Sequence, residues 1–204
     1  EYGDEKLLEF IRMIVYSIDF RSEATVCHMV ATASLSMELG KLFDLDEKEL
    51  KKIQLGAYLH DIGKISTPVK ILEKPRSLTP EEMQTMKKHV EITGDILKDY
   101  IHKDIFQIAY RHHEKIDGSG YPCRLCADQL TLSDRIVAVA DQISALEGKR
   151  SYKEGFSKEA VIEILHNQND AGKLCGRVTD SAIRYYDEIM EPCRKNKGMI
   201  TEMY

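Results

Sequence analysis

Apolar residues recur at steps of three and four along most of the chain, which is the spacing of helices that bury one face. This pattern predicts an N-terminal helix over residues 5–20 and further helices over 22–39, 46–62, 104–113, 157–168 and 178–191. Residues 132–148 are apolar almost all round, which predicts a helix buried on most sides. The alternation typical of strands is absent from the sequence, as are repeats. The predicted fold class is therefore all-α.

Two stretches mark boundaries between predicted helices. Residues 79–82 read Thr-Pro-Glu-Glu, in which Thr79 would cap a helix, Pro80 would take its first position and Glu82 would close a capping box. The helix that starts there carries His89 next to its apolar stripe. Residues 114–122, EKIDGSGYP, are too rich in Gly and Pro for a helix or a central strand, so this stretch is predicted to be a shaped loop.

Length and charge limit the function classes. The 204 residues suffice for one sizeable core, and we expect a connector helix over 1–20, a single domain over 21–191 and a tail over 192–204. A net charge of -5 argues against a general binder of nucleic-acid polymers or membrane surfaces. No apolar run approaches the roughly 18 residues of a membrane span. Because the chain starts at Glu1, we expect a piece of a longer protein, whose other part could be a sensor.

The cysteines indicate the compartment. The chain has five, an odd number, and its size does not require disulfides, which predicts a reducing, cytoplasmic location. Cys123 and Cys126 form a CxxC pair, but no second pair stands at matching spacing. A closed zinc site needs four ligands, so this pair does not predict one.

Residues that commonly bind metals lie on or beside the apolar faces of several predicted helices. His60 and Asp61 stand at the end of the apolar segment 55–65, where Gly63 is expected to end the helix. Burying an unpaired carboxylate is costly, so Asp61 needs a cation or strong donors, as does Asp141 inside the apolar helix. The candidate ligands are His28, His60, Asp61, His89, His112, His113 and Asp141. No role is assigned to His102 or His166.

This set of side chains favours a particular chemistry. Imidazoles with two carboxylates suit iron or manganese, with zinc as an alternative, and suit calcium poorly. One metal could not use all seven ligands, whereas two could if Asp61 bridges them. Such a pair activates water and clamps the oxygens of a phosphoryl group, which favours phosphodiester hydrolysis.

Together these residues resemble the HD-GYP domain, a branch of the HD metal-dependent phosphohydrolases associated with degrading the bacterial messenger cyclic di-GMP. The resemblance covers residues 20–190 and is carried by His28, HDIGK at 60–64, segment 70–82, His89, HHEKIDGSGYP at 112–122 and RIVAVAD at 135–141. It implies the all-helical HD fold with an extended GYP loop, and a phosphodiesterase that opens cyclic di-GMP to linear pGpG, with either pGpG or GMP as the final product.

The resemblance also implies roles for individual residues. One metal would be held by His28, His60, Asp61 and Asp141, and the second by Asp61, His89, His112 and His113. Lys64 would stabilise the phosphate or the leaving group, a role that an ammonium three residues past a bridging Asp61 also suits on physical grounds. Contacts to the guanine or phosphate groups are implied for Tyr121, Arg150 and Lys153.

Two positions depart from the family pattern. Some members have a Glu four residues before the first His and bind a third metal, but Ala24 stands there, which favours two metals. The family commonly has a second Asp one turn after Asp141, where this chain has Ser144. We expect Ser144 to face the substrate, where a hydroxyl would donate to a base edge.

Two other functions remain open. The chain could be a catalytically weak receptor or interaction module whose GYP loop binds a partner such as a diguanylate cyclase domain, and Ser144 is the feature that favours this alternative. It could also be an HD hydrolase of another nucleotide, such as a different cyclic dinucleotide. The metal identity and the oligomeric state do not follow from the sequence.

Overall fold

The computed structural model of the chain describes residues 23–148 and 155–201. Within these ranges the chain forms α-helices and two short 3-10 helices without a β-strand, as the all-α prediction requires. The α-helices are α1 (Glu23–Leu42), α2 (Glu47–Leu59), α3 (Val69–Leu72), α4 (Pro80–Leu97), α5 (Lys103–Tyr110), α6 (Leu132–Glu147), α7 (Lys158–Asp170), α8 (Gly176–Arg184) and α9 (Tyr186–Thr201). The 3-10 helices are Ile62–Ser66 and Ala127–Gln129.

Helix α1 lies at the centre of the bundle. It packs against α2, α6 and α9, while α5 packs on α2 and α4 packs on the 3-10 helix Ile62–Ser66. Met29 and Leu35 of α1 and Ile136 of α6 are fully buried in the shared core. The apolar pattern that predicted α6 to be buried on most sides is therefore confirmed. None of the helices in the described ranges combines the length and apolar character of a membrane span.

The start of α4 follows the prediction made from the sequence. Thr79 accepts a hydrogen bond from the Glu82 backbone N–H at 3.3 Å, and the Glu82 carboxylate accepts one from the Thr79 N–H at 2.8 Å. Pro80 occupies the first helical position. This reciprocal capping satisfies two backbone donors that a helix end would otherwise leave unpaired.

Several helix ends differ from the predicted ones. Helix α2 ends at Leu59, so His60 and Asp61 lie in the turn that follows it. Helix α5 ends at Tyr110, which leaves His112 and His113 in the next turn. These short turns continue the apolar spacing of their helices, and periodicity alone therefore extended the helices too far.

The C-terminal part also differs from the expectation. The predicted helix 178–191 is two helices, α8 and α9, that meet at Tyr185. The backbone of Tyr185 has φ -107° and ψ 26°, outside the α-helical range. Helix α9 continues through the predicted tail as far as Thr201. The predicted N-terminal helix over 5–20 lies outside the described residues.

Gly63 does not end a helix but allows a close approach between two segments. It lies within the 3-10 helix Ile62–Ser66, where a Cβ would lie 2.0 Å from the His89 carbonyl oxygen and 2.6 Å from the Thr93 nitrogen. The Thr93 hydroxyl accepts from the Gly63 N–H at 3.0 Å and donates to the His60 carbonyl at 3.1 Å. These bonds attach the His60–Asp61 turn to α4.

Candidate metal centre

The seven candidate ligands come from five separate segments and meet at one place. His28 comes from α1, His60 and Asp61 from the turn after α2, His89 from α4, His112 and His113 from the turn after α5, and Asp141 from α6. Their donor atoms form three overlapping groups, each within 4.8 Å: His28 with His60 and Asp141, His60 with Asp61 and His112, and His89 with His112 and His113.

Asp61 lies between two sets of histidines. Its Oδ2 lies 3.2 Å from His60 Nε2 and 3.5 Å from His28 Nε2. Its Oδ1 lies 3.3 Å from His89 Nε2 and 4.0 Å from His112 Nε2. The carboxylate is 2% exposed, and within the described part of the chain Oδ1 is buried without a hydrogen-bond partner. Each oxygen therefore faces a different pair of imidazoles.

Asp141 and His113 complete the two sets. Asp141 Oδ1 lies 2.9 Å from His28 Nε2 and 3.5 Å from His60 Nε2, on the Oδ2 side of Asp61. The His113 ring packs against His112 with their centroids 4.0 Å apart, on the Oδ1 side. His113 is the more exposed of the two imidazoles, and its Nδ1 lies 3.7 Å from Asp141 Oδ2.

Backbone carbonyls orient three of the imidazoles. Nδ1 of His60, His89 and His112 lies 2.6–2.7 Å from the carbonyl oxygen three residues earlier, at Ala57, Met86 and Ala109 respectively. A carbonyl only accepts, so each Nδ1 carries a hydrogen and each Nε2 faces the centre. Ala57 and Ala109 lie in the last turns of α2 and α5, where carbonyls lack intrahelical partners. Placing His60 and His112 just beyond a helix end thus gives each of these two rings a fixed acceptor.

The buried charges compensate one another. Burial alone would raise the pKa of Asp61, but His60 and Lys64 outweigh burial and hold the pKa well below its usual range. Burial alone would lower the pKa of His60, but Asp61 and Asp141 outweigh it and raise the pKa to about 10. Burial lowers the pKa of His113 to about 4 and that of His112 well below its ordinary value. Without a metal, the centre therefore combines ionised carboxylates with a protonated His60 and with neutral imidazoles at His112 and His113.

The residues fit a pair of metal ions. A buried carboxylate oxygen without a donor and clustered Nε2 atoms would be costly unless a cation fills the space between them. Nε2 atoms of His28 and His60 lie 3.3 Å apart, and those of His89 and His112 lie 3.4 Å apart. Nitrogen and carboxylate donors of this kind suit first-row transition metals. Cys123 and Cys126 are exposed and belong to none of the ligand groups found in residues 23–148 and 155–201.

Two further predicted site residues lie at this centre. The Lys64 ammonium donates to Asp61 Oδ2 at 2.5 Å. The Tyr121 ring lies between His113 and Lys87. Its centroid is 4.8 Å from the centroid of the His113 ring and 4.8 Å from the Lys87 Nζ. Burial raises the pKa of the Tyr121 phenol above its ordinary value, so the group is a neutral donor at the edge of the centre.

Ser144 lies where the sequence did not predict it. Its side chain is 1% exposed and sits beneath His28, with Oγ 3.0 Å from His28 Nδ1. The hydroxyl thus lies against His28 of α1, and the contact of Ser144 with substrate stays a prediction. Arg150 and Lys153 lie outside the described residues, as do the side chains of Glu23 and Ala24.

Glu114 is a site residue that the sequence interpretation missed. Its carboxylate is 3% exposed and accepts from the backbone N–H groups of Cys123, Arg124 and Leu125 at 2.6, 3.1 and 2.9 Å. The loop that carries Tyr121 is thus tied to the residue next to His113. An acidic residue between a His pair and a Gly-rich stretch was the available signal, since three loop amides need an acceptor.

Comparison with known proteins agrees with this geometry. A family model described as HD domain matches residues 11–176. The chain is 39% identical over 163 residues to 3'3'-cGAMP-specific phosphodiesterase 2 of Vibrio cholerae. This alignment covers 78% of this chain and 31% of that protein. It is 34% identical over 194 residues to the cyclic di-GMP phosphodiesterase response regulator RpfG of Xanthomonas campestris. This alignment covers 93% of this chain and 51% of that protein.

A solved structure shares the fold. The structure of an HDG"Y"P protein from Bdellovibrio bacteriovorus aligns with a TM-score of 0.68 at 24% identity, over 82% of this chain and 53% of that one. The match spans 31% of the length of the first of these curated relatives and 51% of the second. The family match and the residues at 60–61 and 120–122 agree, and the chain therefore belongs to the HD domain family, in its HD-GYP branch.

Proposed function

We propose that this chain is a metal-dependent phosphodiesterase that hydrolyses cyclic di-GMP to linear pGpG and onward to GMP. The observation that carries the proposal is the position of Asp61, whose two oxygens face two separate sets of imidazoles. This arrangement suits two metals that share one carboxylate. The names of the relatives, which include cyclic di-GMP and 3'3'-cGAMP phosphodiesterases, support the substrate class.

The ligand sets would divide around Asp61. His28, His60 and Asp141 would hold one ion on the Oδ2 side, and His89, His112 and His113 would hold the other on the Oδ1 side. Iron or manganese suits this mixture of imidazole and carboxylate, and zinc is the alternative. When bound, such a pair supplies a water nucleophile at neutral pH and offsets the negative charge of the phosphodiester.

The chain's own residues would orient the substrate and balance its charge. An ammonium has three donors, so Lys64 can donate to Asp61 and also to a phosphoryl oxygen or the leaving oxygen. A cation fixed at that point stabilises negative charge that grows in the transition state. The Tyr121 ring offers a face for a base and a neutral hydroxyl that can donate at the edge of the site. A messenger substrate would place this activity in the cytoplasm.

The direct test is turnover of cyclic di-GMP by anaerobically prepared iron-loaded or manganese-loaded protein, with products separated by chromatography. We expect pGpG first and GMP later. Asp61→Asn should abolish turnover, because an amide cannot bridge two cations. Asp95→Asn is the matched control, because Asp95 on α4 has a side chain that is 74% exposed. Binding of cyclic di-GMP without product in either metal form would instead favour the receptor function.

A second substrate has a specific observation in its favour. The relative that is 39% identical to this chain is named for 3'3'-cGAMP, which shares one guanine and both phosphodiester bonds with cyclic di-GMP. The same assay with both dinucleotides decides between them. A kcat/KM at least about tenfold higher for 3'3'-cGAMP, equal to about 1.4 kcal/mol, would move the proposal to that substrate.

A further inference from the structure

His28 differs from the other oriented histidines in what fixes its ring. The Nδ1 atoms of His60, His89 and His112 bond to backbone carbonyls, which no single substitution removes. Nδ1 of His28 instead bonds to a side chain, the Ser144 hydroxyl, at 3.0 Å. His28 is therefore the ligand whose orientation depends on the identity of a distant residue, 116 positions along the chain.

The hydrogen-bond directions follow from the second contact of that hydroxyl. Ser144 Oγ also lies 3.2 Å from the His28 carbonyl oxygen, which only accepts. The hydroxyl hydrogen therefore goes to the carbonyl, and an Oγ lone pair accepts the Nδ1–H of the same residue. Nε2 of His28 is left with its lone pair facing Asp141 Oδ1, 2.9 Å away.

We propose that Ser144 is a positioning residue that fixes the tautomer and ring orientation of His28, so that Nε2 serves as a ligand on the Oδ2 side of Asp61. This inference rests on the proposed metal centre. Ser144 is 1% exposed, so water does not replace the hydroxyl when it is removed. Support of this kind behind a metal-binding histidine is commonly worth 10–100-fold in metal affinity. The effect is confined to one of the two ions, because His89, His112 and His113 do not depend on Ser144.

The test measures Mn²⁺ binding by equilibrium dialysis, because Mn²⁺ prefers nitrogen and oxygen ligands to the exposed thiols of Cys123 and Cys126. Ser144→Ala removes the acceptor. Ser144→Cys fills the space with a somewhat larger thiol, which is a much weaker acceptor. Ser36→Ala is the matched control: Ser36 of α1 is fully buried, and within the described residues its Oγ has no hydrogen-bond partner.

We expect both Ser144 variants to bind one Mn²⁺ like the wild type and the other about 10–100-fold more weakly, and Ser36→Ala to bind both normally. At limiting Mn²⁺, the electron paramagnetic resonance spectrum of the wild type should show coupled ions, whereas that of the Ser144 variants should show a single ion. Thermal melting of the metal-free proteins checks the fold, and Ser144→Cys carries the test if Ser144→Ala does not fold.

Three results would overturn the inference. The first is a Mn²⁺ affinity of Ser144→Ala equal to that of the wild type. The second is a wild-type Mn²⁺ affinity in Ser144→Cys while Ser144→Ala binds more weakly, and the third is equal weakening of the binding of both ions. The middle result would mean that volume rather than the hydrogen bond matters. A wild-type chain that binds no Mn²⁺ would overturn the proposed function as well. Normal wild-type binding with an unaffected Ser144→Ala would overturn this inference alone.

Discussion

Removing the Glu114 carboxylate should release the loop that carries Tyr121 without unfolding the bundle. The carboxylate is 3% exposed and holds the backbone N–H groups of Cys123, Arg124 and Leu125. In Glu114→Ala these N–H groups lose their acceptor, and they have no other acceptor as long as they stay buried. The loop is then expected to open to water, because exposed amides can bond to solvent while the helices keep their own hydrogen bonds.

The size of the effect follows from the three bonds. A hydrogen bond to a charged group contributes about 1.5–3 kcal/mol, and three bonds to one carboxylate are not fully additive. We therefore expect the free energy of local opening to fall by about 3 kcal/mol, which is roughly a hundredfold in the opening equilibrium. Glu114→Gln keeps one oxygen and turns an amide N–H towards another donor, so an intermediate change of about tenfold is expected.

Hydrogen exchange of the peptide over residues 118–126 measures this directly. Exchange at positions 123–125 should accelerate by the factors above, while exchange in α1 and α6 stays unchanged. Asp128→Asn is the matched control, since Asp128 is an exposed carboxylate in the same part of the chain. If exchange in Glu114→Ala equals that of the control, the carboxylate does not hold the loop and the reasoning is refuted.

Three other predictions test the centre and its supports. Gly63→Ala would place a Cβ 2.0 Å from the His89 carbonyl oxygen. It should lower the free energy of unfolding, measured in denaturant, by about 3 kcal/mol or more. Gly176→Ala is the control and should cost much less, because its Cβ would meet the Asn169 side chain. Lys64→Met should lower kcat by about a hundredfold while elemental analysis still finds two metals per chain, and loss of the metals would contradict its assigned role. Chelation should lower the melting temperature, since metal at 100 times its Kd adds about 2.7 kcal/mol per site, and an unchanged melting temperature would argue against a bound metal pair.

The sequence predicted the ligands better than the helix ends. His60 and Asp61 stand out because a charge beside an apolar stripe requires compensation, and this requirement holds whether the helix ends at Leu59 or at Ile62. The turn after Leu59 is followed by a close approach of Gly63 to the backbone of His89, a contact between distant segments that no local pattern contains. The break at Tyr185 has the same character, since the apolar spacing continues across it.

Residues that act through the backbone were not predicted. The place of Glu114 between a His pair and a Gly-rich stretch is a weak signal, because the sequence does not show that the backbone amides nine to eleven residues later fold around its carboxylate. Ser144 stands three residues after Asp141, which places the two side chains on the same side of α6. The contact of this side with His28 of α1 depends on how the helices pack, so the sequence alone did not predict it.

The position of Asp61 beyond the end of α2 links the fold to the proposed chemistry. The Asp61 carboxylate in this turn presents its two oxygens to imidazoles that come from different elements. The imidazoles on its two sides come from α1, α4 and the turns after α2 and α5, so the centre exists only when these elements are packed. Metal binding then adds its free energy to folding, because the unfolded chain has no preformed site.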